Sequence, residues 1–145
     1  MFAARRLNDG MGAYVANQTI KTMNLKGIKV KDSNILLLGI TFKENCPDIR
    51  NTKIVDIYHT LREYTSHITV FDPCADSKAV EKEYGIPVVS DGWDNLKGKF
   101  DSVILCVAHE QFGGKDLRSL LKDAKEGVIY DVKGFLPKGM ADARL

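Results

Sequence analysis

Cysteine is scarce in this chain of 145 residues, and its spacing excludes the structures that cysteine most often builds. The three residues, Cys46, Cys74 and Cys106, are odd in number and far apart, and none belongs to a CxxC pair. This set favours neither a disulfide framework nor a zinc site and is typical of a reducing, cytoplasmic location. The three histidines are equally dispersed along the chain, so the sequence predicts no metal site.

An excess of charge and long apolar runs are lacking as well. The chain has 21 basic and 19 acidic residues, and a net charge of +2 is too small for a nucleic-acid-binding domain. No apolar run reaches the roughly 18 residues of a membrane-spanning helix, and the N-terminus lacks the pattern of a signal peptide. With 44% hydrophobic and 28% charged residues, the composition is that of one globular domain with no nucleic-acid or membrane partner.

From residue 34 onward, short apolar runs alternate with segments of helical spacing. Residues 34–40, NILLLGI, form a continuous apolar run, which is typical of a strand buried on both faces. The other predicted strands are 68–71, a weak one at 86–89, 100–107 and 128–132, and the predicted helices are 52–64, 76–84 and 116–124. This alternation predicts an α/β domain with a doubly wound parallel sheet of about five strands.

A single long helix is predicted over residues 1–30, in front of the α/β domain at 31–145. Its apolar residues divide into two sides, one with Leu7, Met11, Tyr14, Val15 and Leu25, the other with Ala13, Ala16, Ile20 and Met23. Because a surface helix shows one apolar stripe, this helix is expected to pack against two partners, with Ile20 and Met23 at an interface between chains. Gly10 and Gly12 each cost about 1 kcal/mol inside a helix, which indicates close packing or fraying there.

The loop after the first strand is where a parallel sheet binds ligands, beyond the carboxyl ends of its strands. Residues 39–52 contain neither GxGxxG nor GxxxxGK[ST], so this turn is neither a dinucleotide fingerprint nor a P-loop. Lys43 nevertheless offers a point charge and Arg50 a bidentate donor, next to the start of a helix whose free N–H groups attract anions. These residues are compatible with an anion site and equally with a solvated loop containing an Asp48–Arg50 pair.

The string GITFKENCPDIRNTK at 39–53, with RRLNDGM before it and VFDPCAD after it, carries a resemblance. It closely resembles the C-terminal region of the UDP-glucose/GDP-mannose dehydrogenase family, and in particular the bacterial UDP-N-acetyl-hexosamine 6-dehydrogenases, with their FKENCPD(I/L)RNTK loop. The similarity covers residues 5 to about 90 and continues more loosely to VIYDVKGFLP at 128–137. The resemblance implies the end of a central connecting helix, followed by a Rossmann-like UDP-sugar-binding domain.

The reaction implied by the resemblance oxidises the C6 alcohol of a UDP-sugar to a carboxylate with two NAD, for surface polysaccharide synthesis. In the family an N-terminal domain binds NAD, and a cysteine in a GGxC(F/I)P motif captures the intermediate aldehyde. That motif is absent from this sequence. The chain alone is therefore expected to contain no catalytic residue and to reduce no NAD.

Four residues correspond by resemblance to positions that contact ligands in the family. Phe42 and Lys43 match the pair that contacts the UDP-sugar, and Lys133 lies where relatives place a basic residue near the UDP. Arg50 matches an arginine that reaches NAD in the other domain. Cys46 lies in the same loop as Phe42, Lys43 and Arg50, but the family's nucleophile lies elsewhere.

Two functions of different class remain open on the sequence. The chain is either the UDP-sugar-binding part of an NAD-dependent dehydrogenase or a stand-alone nucleotide-binding module without chemistry. The two-sided helix at 1–30 favours the first, because a connector between an N-terminal NAD-binding domain and a second subunit needs two apolar sides. The sequence does not distinguish the glucosamine, galactosamine and mannosamine forms of the substrate.

Overall fold

The structure of the chain is a computed structural model that describes residues 2–50 and 52–145. The helices are α1 (Phe2–Leu25), α2 (Ile54–Arg62) and α3 (Ser77–Tyr84), and the strands are β1 (Ile35–Leu38), β2 (Ile68–Phe71), β3 (Ser102–Leu105), β4 (Val128–Asp131) and β5 (Ala143–Arg144). Three short 3₁₀ turns lie at Trp93–Leu96, Glu110–Phe112 and Leu117–Leu120.

All five strands are parallel and follow the order β2-β1-β3-β4-β5. At the open side of β2, Val89 forms one further parallel bridge with Phe71. With this bridged segment counted as a rudimentary strand, the order becomes the 3-2-1-4-5-6 of doubly wound nucleotide-binding folds. The predicted fold class is confirmed.

The membership of the sheet differs from the prediction at both edges. The weak strand predicted at 86–89 is reduced to the single Val89 bridge, because Pro87 has no N–H to donate to a ladder. The fifth strand is instead β5, which pairs with β4 at Tyr130 and Asp131. Two residues are too few to produce a periodic signal in the sequence.

The prediction of a helix at 116–124 is wrong, since only a 3₁₀ turn forms there, at Leu117–Leu120. Leu121 is drawn out of the turn by a parallel bridge to Phe100. The N–H of the next residue, Lys122, donates to the Phe100 carbonyl at 2.7 Å. Pairing with the segment before β3 therefore ends the helical turn after one revolution.

Each face of the sheet covers a separate apolar core. Because side chains alternate along a strand, Ile35 and Leu37 of β1 face the cluster beneath α1 and α2, whereas Leu36 and Leu38 face the other cluster. The second cluster also contains Phe71, Phe100 and Phe112, and the half-buried Trp93 packs against it. Burial of β1 on both faces confirms the expectation drawn from its continuous apolar run.

Helix α1 buries one stripe, not the two sides predicted for it. One side of the helix is buried on the fold's own core. Its buried residues, among those described, are Gly12, Val15, Ala16, Thr19, Ile20 and Met23. The expectation that Ile20 and Met23 form an interface between chains is therefore wrong, whereas Tyr14 and Leu25 remain 53% and 78% exposed. Leu7 lies outside the described side chains. No helix in the described part of the chain is long and apolar enough to cross a membrane.

The end of α1 is fixed by backbone geometry and by one ion pair. Gly27 adopts the left-handed conformation, with φ +78°, and the N–H of Ile28 donates to the Met23 carbonyl at 2.9 Å, as in a Schellman cap. The Lys26 ammonium donates to Asp142 Oδ1 at 2.8 Å. This bond ties the end of α1 to the residue before β5.

Gly12 and Gly10 of α1 provide a matched test of how closely α1 packs on α2. A Cβ at Gly12 would lie 2.5 Å from Asp56 Cβ, whereas a Cβ at Gly10 would have no atom of the described residues within 4 Å. Gly10→Ala should stabilise the chain by up to about 1 kcal/mol through helix propensity. Gly12→Ala should be less stable than Gly10→Ala by about 1–3 kcal/mol because the helices must separate. Urea unfolding measures both, and equal stabilities would show that the helices do not pack this closely.

Candidate functional site

The crevice between the carboxyl ends of β1 and β3 is the switch point of the fold. The two strands are neighbours, but the chain continues from β1 towards β2 on one side and from β3 towards β4 on the other. Connections that diverge in this way leave a gap above the strand ends, and ligands of open α/β sheets bind there. The loop predicted as the candidate site, residues 39–52, borders this gap.

Gly39 allows the two strand ends to approach each other. It has φ +98°, a conformation that side chains rarely adopt. A Cβ at this position would lie 2.6 Å from Val107 Cβ, after the end of β3. The glycine at the end of β1 therefore serves strand packing, and the Gly-rich turn that receives a pyrophosphate in dinucleotide-binding domains is not formed.

Asp72, directly after β2, holds the backbone at the start of the candidate loop. Its carboxylate is fully buried, and Oδ2 accepts the N–H of Ile40 at 2.7 Å and of Thr41 at 3.2 Å. Oδ1 accepts the N–H of Cys74 at 2.8 Å and of Ala75 at 3.1 Å. One side chain thus fixes the turn after β1 to the turn after β2.

His109, four residues after β3, completes this arrangement. It is fully buried, and its Nε2 lies 3.0 Å from Asp72 Oδ2 and 3.2 Å from Thr41 Oγ1. Its Nδ1 accepts the N–H of Asn45 at 2.9 Å. Burial raises the pKa of Asp72, but the hydrogen bonds from His109 and the backbone lower it more strongly, so the pKa lies below its ordinary value.

Two further contacts close the segment around the predicted ligand residues. Asn45 has φ +58°, and its Oδ1 accepts the N–H of Glu110 at 2.8 Å. The N–H of Phe42 donates to the Asp48 carbonyl at 2.6 Å. Phe42 is 57% exposed and Lys43 is exposed, so a fixed backbone presents both side chains to solvent.

Arg50 lies at the far end of the same loop, on the approach to α2. It is exposed, and its guanidinium binds Asp48 through two bonds of 3.1 Å. This is the Asp48–Arg50 pair considered on the sequence, and the bonds to Arg50 lower the pKa of Asp48. Arg50 also lines a cleft of about 500 Å³ together with Asp56 of α2 and Tyr84 of α3.

Lys133 follows β4, the strand beyond β3, and is exposed. Its backbone N–H donates to Asp131 Oδ1 at 3.2 Å. All four predicted ligand residues therefore belong to segments that leave the carboxyl edge of the sheet. Within the described residues, no hydrogen bond, ion pair or ring contact joins the side chains of Phe42, Lys43 and Lys133.

The residues that organise this edge were not found by sequence reasoning. The three histidines are dispersed along the sequence, yet His109 meets Asp72 and Cys74 in the fold, with one potential ligand atom of each within 4.8 Å of the others. The available signal was position, because Asp72 and His109 follow β2 and β3, and both of these strands neighbour β1. Polar residues just after neighbouring parallel strands meet at one edge.

The side chains of Asp72, Cys74 and His109 are not available as metal ligands. Both oxygens of Asp72 accept backbone N–H groups, and both ring nitrogens of His109 are engaged. Burial and the Asp72 charge raise the pKa of the Cys74 thiol, which opposes the thiolate a metal requires. The cluster is a satisfied hydrogen-bond network.

Cys106 and Trp93 have structural roles outside the candidate site. Cys106 is fully buried beyond β3, and burial raises the pKa of its thiol far above the ordinary value. Trp93 lies in a 3₁₀ turn and packs edge-on against Phe71 with ring centroids 5.6 Å apart. Neither residue takes part in the candidate site.

A doubly wound sheet with an ordered loop at its switch point defines a Rossmann-like ligand-binding domain. Residues 36–138 match the UDP binding domain of the UDP-glucose/GDP-mannose dehydrogenase family, and the chain belongs to this family. It is 47% identical, over its whole length, to the UDP-N-acetyl-D-glucosamine 6-dehydrogenase of Salmonella typhi and 46% identical to that of Pseudomonas aeruginosa. The chain spans 34% of the length of each of these relatives.

Solved structures share the fold. A UDP-D-ManNAc dehydrogenase from Pyrococcus horikoshii superposes with a TM-score of 0.78 at 19% identity, over 98% of this chain and 32% of that one. An NDP-N-acetyl-D-galactosaminuronic acid dehydrogenase from Methanosarcina mazei superposes with a TM-score of 0.79 at 20% identity, over 94% of this chain and 28% of that one. In both cases the chain corresponds to about a third of a larger protein.

The network predicts how acid affects the stability of the chain. Because the pKa of Asp72 is lowered below 3.8 in the folded state, its contribution to stability is complete above that pH and is lost as the pH falls through the folded-state pKa. Asp72→Asn would turn an NH₂ group towards two backbone donors. Each orphaned donor costs about 1–3 kcal/mol, so the variant should lose about 2–6 kcal/mol at neutral pH.

Urea unfolding of both proteins from neutral pH down to about pH 2 measures this effect. The difference in stability between wild type and Asp72→Asn should shrink as the pH falls below 3.8. A difference that stays constant over the whole range would mean that the ionised carboxylate of Asp72 does not hold the loop.

Proposed function

We propose that this chain is the UDP-sugar-binding part of an NAD-dependent UDP-N-acetyl-hexosamine 6-dehydrogenase. The observation that carries the proposal is the fixed segment at the switch point, in which Thr41 and Asn45 are anchored on either side of the exposed Phe42 and Lys43. Family membership and the identity of 46–47% to two UDP-N-acetyl-D-glucosamine 6-dehydrogenases support it. These two relatives favour the glucosamine form of the substrate.

In this proposal the ammonium of Lys43 binds the diphosphate of the UDP-sugar. Phe42, from the same loop, also contacts the UDP-sugar. Lys133 adds a second positive charge from the segment after β4. A lysine suits this task because its compact charge binds phosphate oxygens without a fixed orientation. The ordered backbone lowers the entropy lost on binding, since the loop does not have to be fixed by the ligand.

The residues of this domain do not fit the main NAD site. The chain has no GxGxxG fingerprint. The acidic residue at the end of β2, which binds the ribose in dinucleotide-binding domains, is here Asp72, and its oxygens are buried and occupied. We therefore assign NAD to a preceding N-terminal domain of the complete protein, with Arg50 as this chain's contact with it.

The chemical step, the double oxidation at C6 for surface polysaccharide synthesis, belongs in this proposal to the complete protein. The exposed Tyr14 and Leu25 on α1 support contacts with further protein, either the N-terminal domain or a second subunit in a homodimer. We propose a cytoplasmic location, where nucleotide sugars and NAD are both available.

Lys43 and Arg50 should differ in their effect on UDP affinity. A charge-assisted hydrogen bond to phosphate is worth about 1.5–3 kcal/mol, so Lys43→Ala should weaken UDP binding by roughly 10- to 150-fold. Arg50→Ala should leave UDP affinity nearly unchanged in this chain, because Arg50 is assigned to NAD. Isothermal titration of UDP into each variant measures the dissociation constants.

Lys99→Ala is the matched control, because Lys99 is also exposed but precedes β3 at the opposite edge of the sheet. It should bind UDP like the wild type. Equal losses for Lys43→Ala and Arg50→Ala would mean that the loop is one undivided anion site and that the assignment of Arg50 is wrong. Equal affinities for Lys43→Ala and Lys99→Ala would contradict the proposed diphosphate contact.

A further inference from the structure

We infer that His109 is a positioning residue for UDP binding: its Nδ1 holds the loop that carries Phe42 and Lys43, although the imidazole itself touches no ligand. The inference rests on the proposed function for its consequence, UDP affinity. Its structural basis, the bond from Asn45 N–H to Nδ1 at 2.9 Å, stands independently of that function.

The hydrogen-bond partners determine which ring nitrogen of His109 carries the proton. A backbone N–H can only donate, so Nδ1, facing the N–H of Asn45, must be the unprotonated acceptor. The ring proton is therefore on Nε2, where it faces the Asp72 carboxylate at 3.0 Å. The Thr41 hydroxyl, which donates to the Lys43 carbonyl at 2.9 Å, presents a lone pair to the same Nε2. The donors and acceptors of the network are thereby assigned consistently.

This arrangement fixes the loop at two points that flank the proposed ligand residues. On one side, Asp72 accepts the N–H of Thr41 and is itself held by His109 Nε2. On the other side, Nδ1 of the same ring accepts the N–H of Asn45. The backbone between Thr41 and Asn45 therefore has little freedom, although Phe42 and Lys43 have exposed side chains.

Asn45 makes the second anchor sensitive to the loss of Nδ1. Its φ of +58° is a left-handed conformation, which asparagine adopts more readily than most non-glycine residues but which is still less favourable than ordinary backbone conformations. Two bonds hold it, the N–H to His109 Nδ1 and the Oδ1 to the N–H of Glu110. Without the first, the Asn45 N–H loses its acceptor and the loop can leave the binding conformation.

A histidine that only fills the core would have different properties. The ring of His109 is fully buried, so it cannot contact a UDP-sugar bound in the crevice. With a positioning role, the effect of a substitution must depend on which nitrogen is replaced. With a packing role, only the volume and the overall number of hydrogen bonds would count.

Two amide substitutions separate the nitrogens of His109. In His109→Asn, the amide oxygen takes nearly the position of Nδ1 and can still accept the Asn45 N–H, while the bond to Asp72 is lost. In His109→Gln, the amide NH₂ takes nearly the position of Nε2 and can still donate to Asp72, while the acceptor for Asn45 is lost. His67→Gln, at an exposed histidine, is the control.

The measurements are UDP titration calorimetry and amide hydrogen exchange of Asn45 in all four proteins. We expect His109→Gln to raise the dissociation constant for UDP about tenfold, as when the binding-competent loop falls to about a tenth of the molecules, and to accelerate exchange at Asn45. His109→Asn should stay within about threefold of the wild type in both measurements, because Asp72 keeps its four backbone N–H bonds and Thr41 remains anchored without the imidazole. His67→Gln should match the wild type. Equal changes in the two His109 variants, or the reverse order, would overturn the inference.

A measurement on the wild type keeps the test independent of how well the variants fold. The ¹⁵N chemical shifts of the imidazole should show a protonated Nε2 and an unprotonated, hydrogen-bonded Nδ1, and a proton on Nδ1 would overturn the inference. If the wild type binds no UDP, the proposed function fails. The exchange rates at Asn45 then still decide whether His109 holds the loop.

Discussion

The candidate site depends on the hydrogen bonds that the buried carboxylate of Asp72 accepts. A charge without water is costly unless hydrogen bonds replace its hydration, and here four backbone N–H groups and one imidazole do so. The donors come from the turns after β1, β2 and β3. One ionised group thus holds three strand ends together at the edge of the sheet that carries the candidate site.

This use of Asp72 also distinguishes the candidate site from the edge of a dinucleotide-binding domain. A dinucleotide-binding domain leaves the acid after its second strand open to a ribose and uses a Gly-rich turn for the pyrophosphate. Here the acid faces inward, and Gly39 serves the approach of β1 to β3. What remains available at the edge is a set of exposed cations and an exposed phenylalanine, which suits the diphosphate of a nucleotide sugar.

The fold could be predicted from the sequence where local patterns decide it. The continuous apolar run of β1 and the helical spacing of α2 each correspond to one element of the structure. Tertiary pairing decides the remaining parts: the bridge of Leu121 to Phe100 ends a predicted helix, and β5 forms only because β4 offers it an edge. The side of α1 that carries Ile20 and Met23 was assigned to a partner, whereas the sheet of the same chain covers it.

The candidate site shows the same division between local and long-range information. Phe42, Lys43, Arg50 and Lys133 are predicted as ligand residues by resemblance, because they lie in or near motifs. Asp72 and His109 are separated by 37 residues, and nothing in the local sequence around either one indicates that they meet. Their contact follows from the order of the strands, which requires the whole topology.

In the proposed function, UDP binds at the edge formed by the turns after β1, β3 and β4. The most direct test is a titration of the ¹⁵N-labelled chain with UDP, followed by the amide chemical shifts. We expect the largest changes within residues 39–52, 106–111 and 132–134, and little change in α1 and in the residues before β3. Changes centred on α1 or on the opposite edge of the sheet would contradict it, as would the absence of any change.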